Sequence, residues 1–141
     1  MKIIALSKNF GLDELIRSNT ANIKHIDNTP SDDIIYRLSF GVLNILQPLR
    51  DYLGKPIKVT SGYRSPALNK AVSGSTKSQH LTGNAADIVL PSNTDYDKAI
   101  DFLLRDVNVD QLINEYKGKS RWLHVSWSLT PRRQYFTNVK Y

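Results

Sequence analysis

The chain has 141 residues, 40% hydrophobic and 23% charged, with a formal net charge of +6 and no cysteine. That length predicts one domain over residues 1–141, large enough for an ordinary hydrophobic core. The absence of thiols excludes disulfide staples and thiolate chemistry, so any metal must be held by His, Asp or Glu. The basic balance suits approach to polyanions such as nucleic acid, anionic lipid or an acidic cell-wall polymer. The basic residues are scattered, however; their tightest cluster is Pro131 to Arg133, and a solvated basic surface is the plainer reading.

At the N-terminus, "MKIIALSKNF" has an apolar run only from Ile3 to Leu6. A secretory segment needs roughly 7–15 apolar residues, and a membrane span at least about 18. A soluble chain made in the cytoplasm, without signal peptide or membrane span, is therefore expected. Leu12 to Arg17 reads as a short helix, and "TANIKHIDNTP" as a loop. Ser31 then caps the main helix, with Asp32 and Asp33 in its first turn, where carboxylates complement the helix dipole. Ile35, Leu38, Val42, Ile45, Leu46, Leu49 and Leu53 recur mostly at three and four and predict one buried face. Pro48 should kink this helix near Asn44, and Gly54 should close it.

A strand over Ile57 to Thr60 follows, then a helix capped by Ser65 with Pro66 at its first position. "SGSTKSQHLTG" reads as loop, "AADIVL" as a strand, and "DYDKAIDFLLRD" as an amphipathic helix with Ile100, Leu103 and Leu104 inward. "VDQLINEY" and "RWLHVSWSL" read as two strands joined by the turn "KGKS". In the second, His124 shares a face with Trp122 and Ser126. Helices come mostly first and strands mostly later, which indicates an α+β fold with a small, mainly antiparallel sheet and helices packed on it. The tail "QYFTNVKY" reads as an edge strand or a solvated end.

Chemistry concentrates in "SQHLTGNAADI", residues 78–88. His80 and Asp87 are too far apart for neighbouring turns of one helix, but they suit a loop that doubles back, with Asp87 at the mouth of a strand. His124, from a separate strand, would complete a His–Asp–His set. Three protein ligands leave the fourth tetrahedral position of zinc for water, as catalytic zinc requires. Glu115, on the strand beside that of His124, is placed to act as general base. Arg64 offers a guanidinium fork for a carboxylate or polarised carbonyl. Spacing alone leaves the alternative open: a His–Asp pair arises by chance, and a strand histidine is often a hydrogen-bonded structural residue. His25 has no partner in view and reads as a surface or loop residue.

Together, "SGYRSPALNKAVSGSTKSQHLTGNAADI" and "DQLINEYKGKSRWLHVSW" resemble the zinc D-Ala-D-Ala metallopeptidases. The pattern S-x-H-x-x-G-x-A-x-D is met by Ser78, His80, Gly83, Ala85 and Asp87, and W-x-H by Trp122 and His124. The resemblance extends upstream through "NFGLDELIRSNTA" and "VLNILQPLRDYLGKPIKVTSGYRSP". It implies the hedgehog/DD-peptidase fold and zinc held by His80, Asp87 and His124. Arg64 would contact substrate and Ser78 would line the site. From the residues themselves, Trp122 and Trp127 read first as packing, with Trp122, on the His124 face, also placed to form a wall of the cleft. Some members carry the acidic base three residues before the last histidine; here that position is Arg121. Others place it upstream on the hairpin, five residues after an aspartate, an arrangement that Asp110 and Glu115 reproduce.

The expectation is a monomeric zinc peptidase acting on bacterial peptidoglycan peptides, as a D,D-carboxypeptidase or as an L-Ala–D-Glu or D,D-endopeptidase. A short chain of this kind looks like a phage-encoded, endolysin-like enzyme acting on the cell wall, or a cytoplasmic relative. One rival is a zinc-stabilised module or phage structural component that binds without catalysis. The other, a basic nucleic-acid binder, lacks a stacking platform or helix-turn-helix signal.

Overall fold

The computed structural model describes residues 4–141; Met1 to Ile3, which carry the start of the N-terminal apolar run, lie outside the described residues. Helices and strands follow as α1 (Leu12–Ile16), α2 (Asn19–Lys24), α3 (Asp32–Gly41), α4 (Gln47–Leu53), β1 (Lys58–Ser61), α5 (Pro66–Ala71), β2 (Ala85–Val89), α6 (Asn93–Asp106), β3 (Gln111–Lys117), β4 (Ser120–Ser126) and β5 (Gln134–Lys140). The sheet has five strands in the order β1-β2-β4-β3-β5. All pairings are antiparallel except β3 with β5. The architecture is α+β, as the order of elements predicts.

The main helix starts as expected: Ser31 accepts a hydrogen bond from the Ile34 N–H, and Asp32 and Asp33 occupy the first turn. It does not merely kink at Pro48. Between α3 and α4 the chain widens into a π turn, Val42–Leu46, in which the Gln47 N–H reaches the Val42 carbonyl five residues back. Proline has no N–H for the ladder, so the wider turn restarts the helix with Pro48 in its first turn, where the missing donor costs nothing. Gly54 closes α4 at φ 64°.

Two expectations need correction. "TANIKHIDNTP" is not all loop: α2 occupies Asn19–Lys24, because Ser18 accepts from the Ala21 N–H and His25 ends the helix in the left-handed region. On α3 it is Ile34, not Ile35, that is buried; Ile35 and Leu53 only flank the core. Both isoleucines lie one turn before Leu38, at spacings of four and three, and α3 sets Ile34 on the buried stripe with Ile35 at its margin.

The core joins Leu38, Val42, Ile45, Leu46 and Leu49 of the main helix to Ile88, Leu112, Leu123 and Val125 of the sheet. Trp127, just after β4, is buried beneath it, and its indole N–H donates to the carbonyls of Arg37 and Gly83 at 2.9 and 3.1 Å. Strand alternation therefore commits one sheet face to the helices. The other face carries Asp87, Trp122, His124, Ile113 and Glu115. The tail forms β5 at the sheet edge. Among the described residues no helix is long and apolar enough to cross a membrane.

Candidate metal centre and active site

Asp87 lies in the middle of β2 rather than at its mouth, directly opposite His124 in the β2–β4 register. Side chains of paired residues share a face, so this register alone brings the carboxylate and imidazole together. Asp87 Oδ1 is 3.0 Å from His124 Nδ1. His80 arrives from a single 3₁₀ turn, Gln79–Thr82. Ser78 Oγ accepts from the His80 N–H, and Gly83 ends the turn at φ 74°, a conformation that side chains with a Cβ rarely adopt. The turn is tied to the segment after β1 by the Arg64 N–H, which donates to the His80 carbonyl.

The His80 ring is fixed by the main chain. Nδ1 lies 2.6 Å from the Gly62 carbonyl, which can only accept, so Nδ1 carries the hydrogen. In the neutral ring Nε2 is then a lone pair, and it faces Asp87 Oδ1 at 3.4 Å. Two acceptors at that distance need a cation between them: a proton or a metal. One ligand atom from each of His80, Asp87 and His124 lies within 4.8 Å of the others. Tetrahedral zinc with bonds of about 2.0–2.1 Å separates its ligands by roughly 3.3 Å, close to the 3.0 and 3.4 Å seen around Asp87. The donor set, two imidazoles and a carboxylate with one histidine oriented by a backbone carbonyl, fits a zinc ion. Burial opposes ionisation of Asp87, but the two imidazoles against it, His124 and His80, outweigh burial and hold the carboxyl below the usual carboxylate range.

Around this triad the open sheet face forms a trough with two lobes that share Arg64, Asp87 and Glu115. One lobe, about 380 Å³, is lined also by Lys77, Ser78, His80 and Arg132. The other, about 750 Å³, is walled by Thr60, Val89, Trp122 and Lys140. Glu115 is on β3 opposite Trp122, on the same face as His124. Position 121 faces the other way. Arg121 lies between the rings of Tyr96 and Tyr116 and donates to Asn114 Oδ1, so an acid there would point away from the triad. Arg64 serves two neighbourhoods. Its Nε and Nη1 donate to Ser61 at the end of β1 and Asn69 of α5, and its Nη2 is 3.9 Å from Asp87 Oδ2. His25 is exposed and outside the group.

Sequence reasoning missed three contributors. Gly62 offers only a carbonyl, which leaves no side-chain signal. Arg132, from the basic cluster near the C-terminus, lines the smaller lobe and grips buried Asp110, which also accepts from Gln79 next to His80. Asn138, on β5, donates to Glu115 Oε1 at 3.0 Å.

The family model described as Peptidase M15 matches residues 8–126. The chain belongs to that family, the zinc D-Ala-D-Ala metallopeptidases. No curated protein matches the chain. Membership of the M15 peptidases supports a metallopeptidase, and the matched span takes in the triad, Arg64 and Glu115 but stops short of β5. In members of this family zinc is the working metal, and the His80–Asp87–His124 group is the metal-binding candidate here.

Proposed function

We propose that this chain is a zinc peptidase that hydrolyses peptide bonds in bacterial peptidoglycan stem peptides, working as one domain over residues 1–141 and as a monomer. The observation that carries this reading is the placement of Glu115 and Arg64 in the same trough as the His80–Asp87–His124 group. A zinc ion held by those three residues would act as a Lewis acid, polarising the scissile carbonyl and acidifying a water.

Glu115 takes the proton of the attacking water and passes it to the departing amine. Arg64, within the same trough, supplies positive charge to the oxyanion that develops on the carbonyl, a contribution that is usually large in acyl transfer. Its anchors on Ser61 and Asn69 hold the guanidinium in place before substrate arrives. Ser78 secures the turn that carries His80, and Trp122 offers an apolar wall on the opposite lobe. The lobe that holds the triad meets the larger lobe at Arg64, Asp87 and Glu115, which gives room for a substrate chain that extends past the metal rather than one that ends at it. The net positive charge suits a wall polymer bearing free carboxylates. A phage-encoded lysis enzyme is the setting this reading favours.

The test is digestion of purified peptidoglycan by the zinc-loaded protein, with and without chelator, followed by mass analysis of the fragments. Opened stems or cross-bridges are expected, and release of terminal D-Ala alone would make the protein a carboxypeptidase. Stoichiometric zinc binding with no new amine released would leave only a zinc-stabilised binding module.

A further inference from the structure

We infer that Asn138 is a positioning residue for Glu115, so that the C-terminal strand β5 is part of the active site. The inference rests on the peptidase reading above. β5 lies wholly beyond residues 8–126, the span shared with the family. It runs parallel to β3, and the register sets Asn138 beside Glu115. The Asn138 amide Nδ2–H donates to Glu115 Oε1 at 3.0 Å. Within β5, Asn138 is the one partly buried residue, while Tyr135, Phe136 and Val139 are 40–50% exposed. The strand thus brings its least exposed side chain against the carboxylate.

The chemistry of the pair explains why an amide suits this place. A glutamate has three side-chain torsions, and an unrestrained one would spread its oxygens over many positions. A donor fixed on a neighbouring strand holds Oε1 and leaves Oε2 to accept the proton of the attacking water. An amide neither gains nor loses a proton near neutral pH, so it orients the base without competing with it. A lysine in its place would pair with the carboxylate and engage the base.

The experiment compares full-length, zinc-loaded variants on a peptidoglycan digest and on a synthetic D-residue peptide. Asn138→Leu keeps the shape and removes the donor. It should lower kcat about tenfold or more, as expected for lost orientation of a catalytic group, with KM, zinc content and melting temperature unchanged. Asn138→Gln restores a donor on a longer arm and should recover part of kcat. In a Glu115→Gln background, Asn138→Leu should have little further effect, because two residues that act through one another are not additive. Asn138→Asp, which keeps the size and places a like charge beside the base, should lose at least as much kcat and serves if the leucine variant misfolds. An unchanged kcat, an effect on KM alone, a loss that follows a fall in melting temperature, or equal losses in both backgrounds overturns the inference and leaves the peptidase reading standing. A zinc-loaded wild type that opens no peptide overturns both.

Discussion

Asp87 and His124 face one another across the β2–β4 ladder, and the same Asp87 oxygen, Oδ1, approaches His124 Nδ1 at 3.0 Å and His80 Nε2 at 3.4 Å. The carboxylate is the hub of the group, and its charge is what a divalent ion would meet between two neutral rings. Asp87→Asn keeps the shape and removes that charge. It is expected to reduce zinc content from about one ion per chain to a tenth or less in equilibrium dialysis, with the circular-dichroism spectrum of the fold retained. Full zinc occupancy in this variant would disqualify the group as the metal centre.

Glu115 sits in the trough without belonging to the triad. Metal binding and proton transfer should therefore separate. Glu115→Gln is expected to bind zinc like the wild type while turnover falls by about 10²–10⁴, the usual worth of a general base. Peptide release followed beside metal analysis checks both halves. Undiminished turnover would remove Glu115 from the chemistry.

Gly62 approaches α1 so closely that a Cβ there would lie 2.1 Å from the Leu15 carbonyl oxygen. Its own carbonyl orients His80. Gly62→Ala must shift the backbone, and the shift reaches the imidazole. Both a lower melting temperature and a loss of zinc affinity of about 10–100-fold are expected, the latter typical when a ligand's outer hydrogen bond is lost. A destabilised variant with wild-type zinc affinity would show that the carbonyl does not set the ring.

Asp110 is buried and accepts from the Arg132 Nε, Nη2 and backbone N–H and from Gln79. The Arg132 side chain, with help from its backbone and Gln79, pulls the carboxyl down to about 2 against the effect of burial. The folded value lies below an unfolded value near 3.9, so this clasp contributes fully above about pH 4 and is lost as pH falls through about 2. Arg132→Met leaves the carboxylate short of donors and should lower the urea midpoint at neutral pH. The gap from wild type in urea unfolding should narrow toward pH 2. A gap that is constant with pH would assign the effect to something other than the ion pair.

The triad was legible because two of its members are among only three histidines in the chain, and all three members lie in short patterns on a turn and two strands. The period-two alternation of "RWLHVSW" placed His124 with Trp122, and β4 realises that alternation. The helix α2 was not legible: its residues Asn, Thr, Ala, Asn, Ile and Lys make no apolar stripe, and a single Ser18 cap starts it. Ile34 and Ile35 both stand one helical turn before Leu38, at four and three residues, so spacing alone does not choose between them. Gly62 acts through its backbone. Asn138 acts through a parallel pairing of strands 23 residues apart in sequence. Neither leaves a local composition to read.

The order of strands has a mechanical consequence. Asp87 and His124 are held on β2 and β4, each zipped on both sides, whereas the partner of Glu115 rides on β5, the sheet's outer margin. Margins fray before interiors do. Heat or mild denaturant should therefore silence hydrolysis while the ion is still gripped, giving a chelated but idle protein well before global melting.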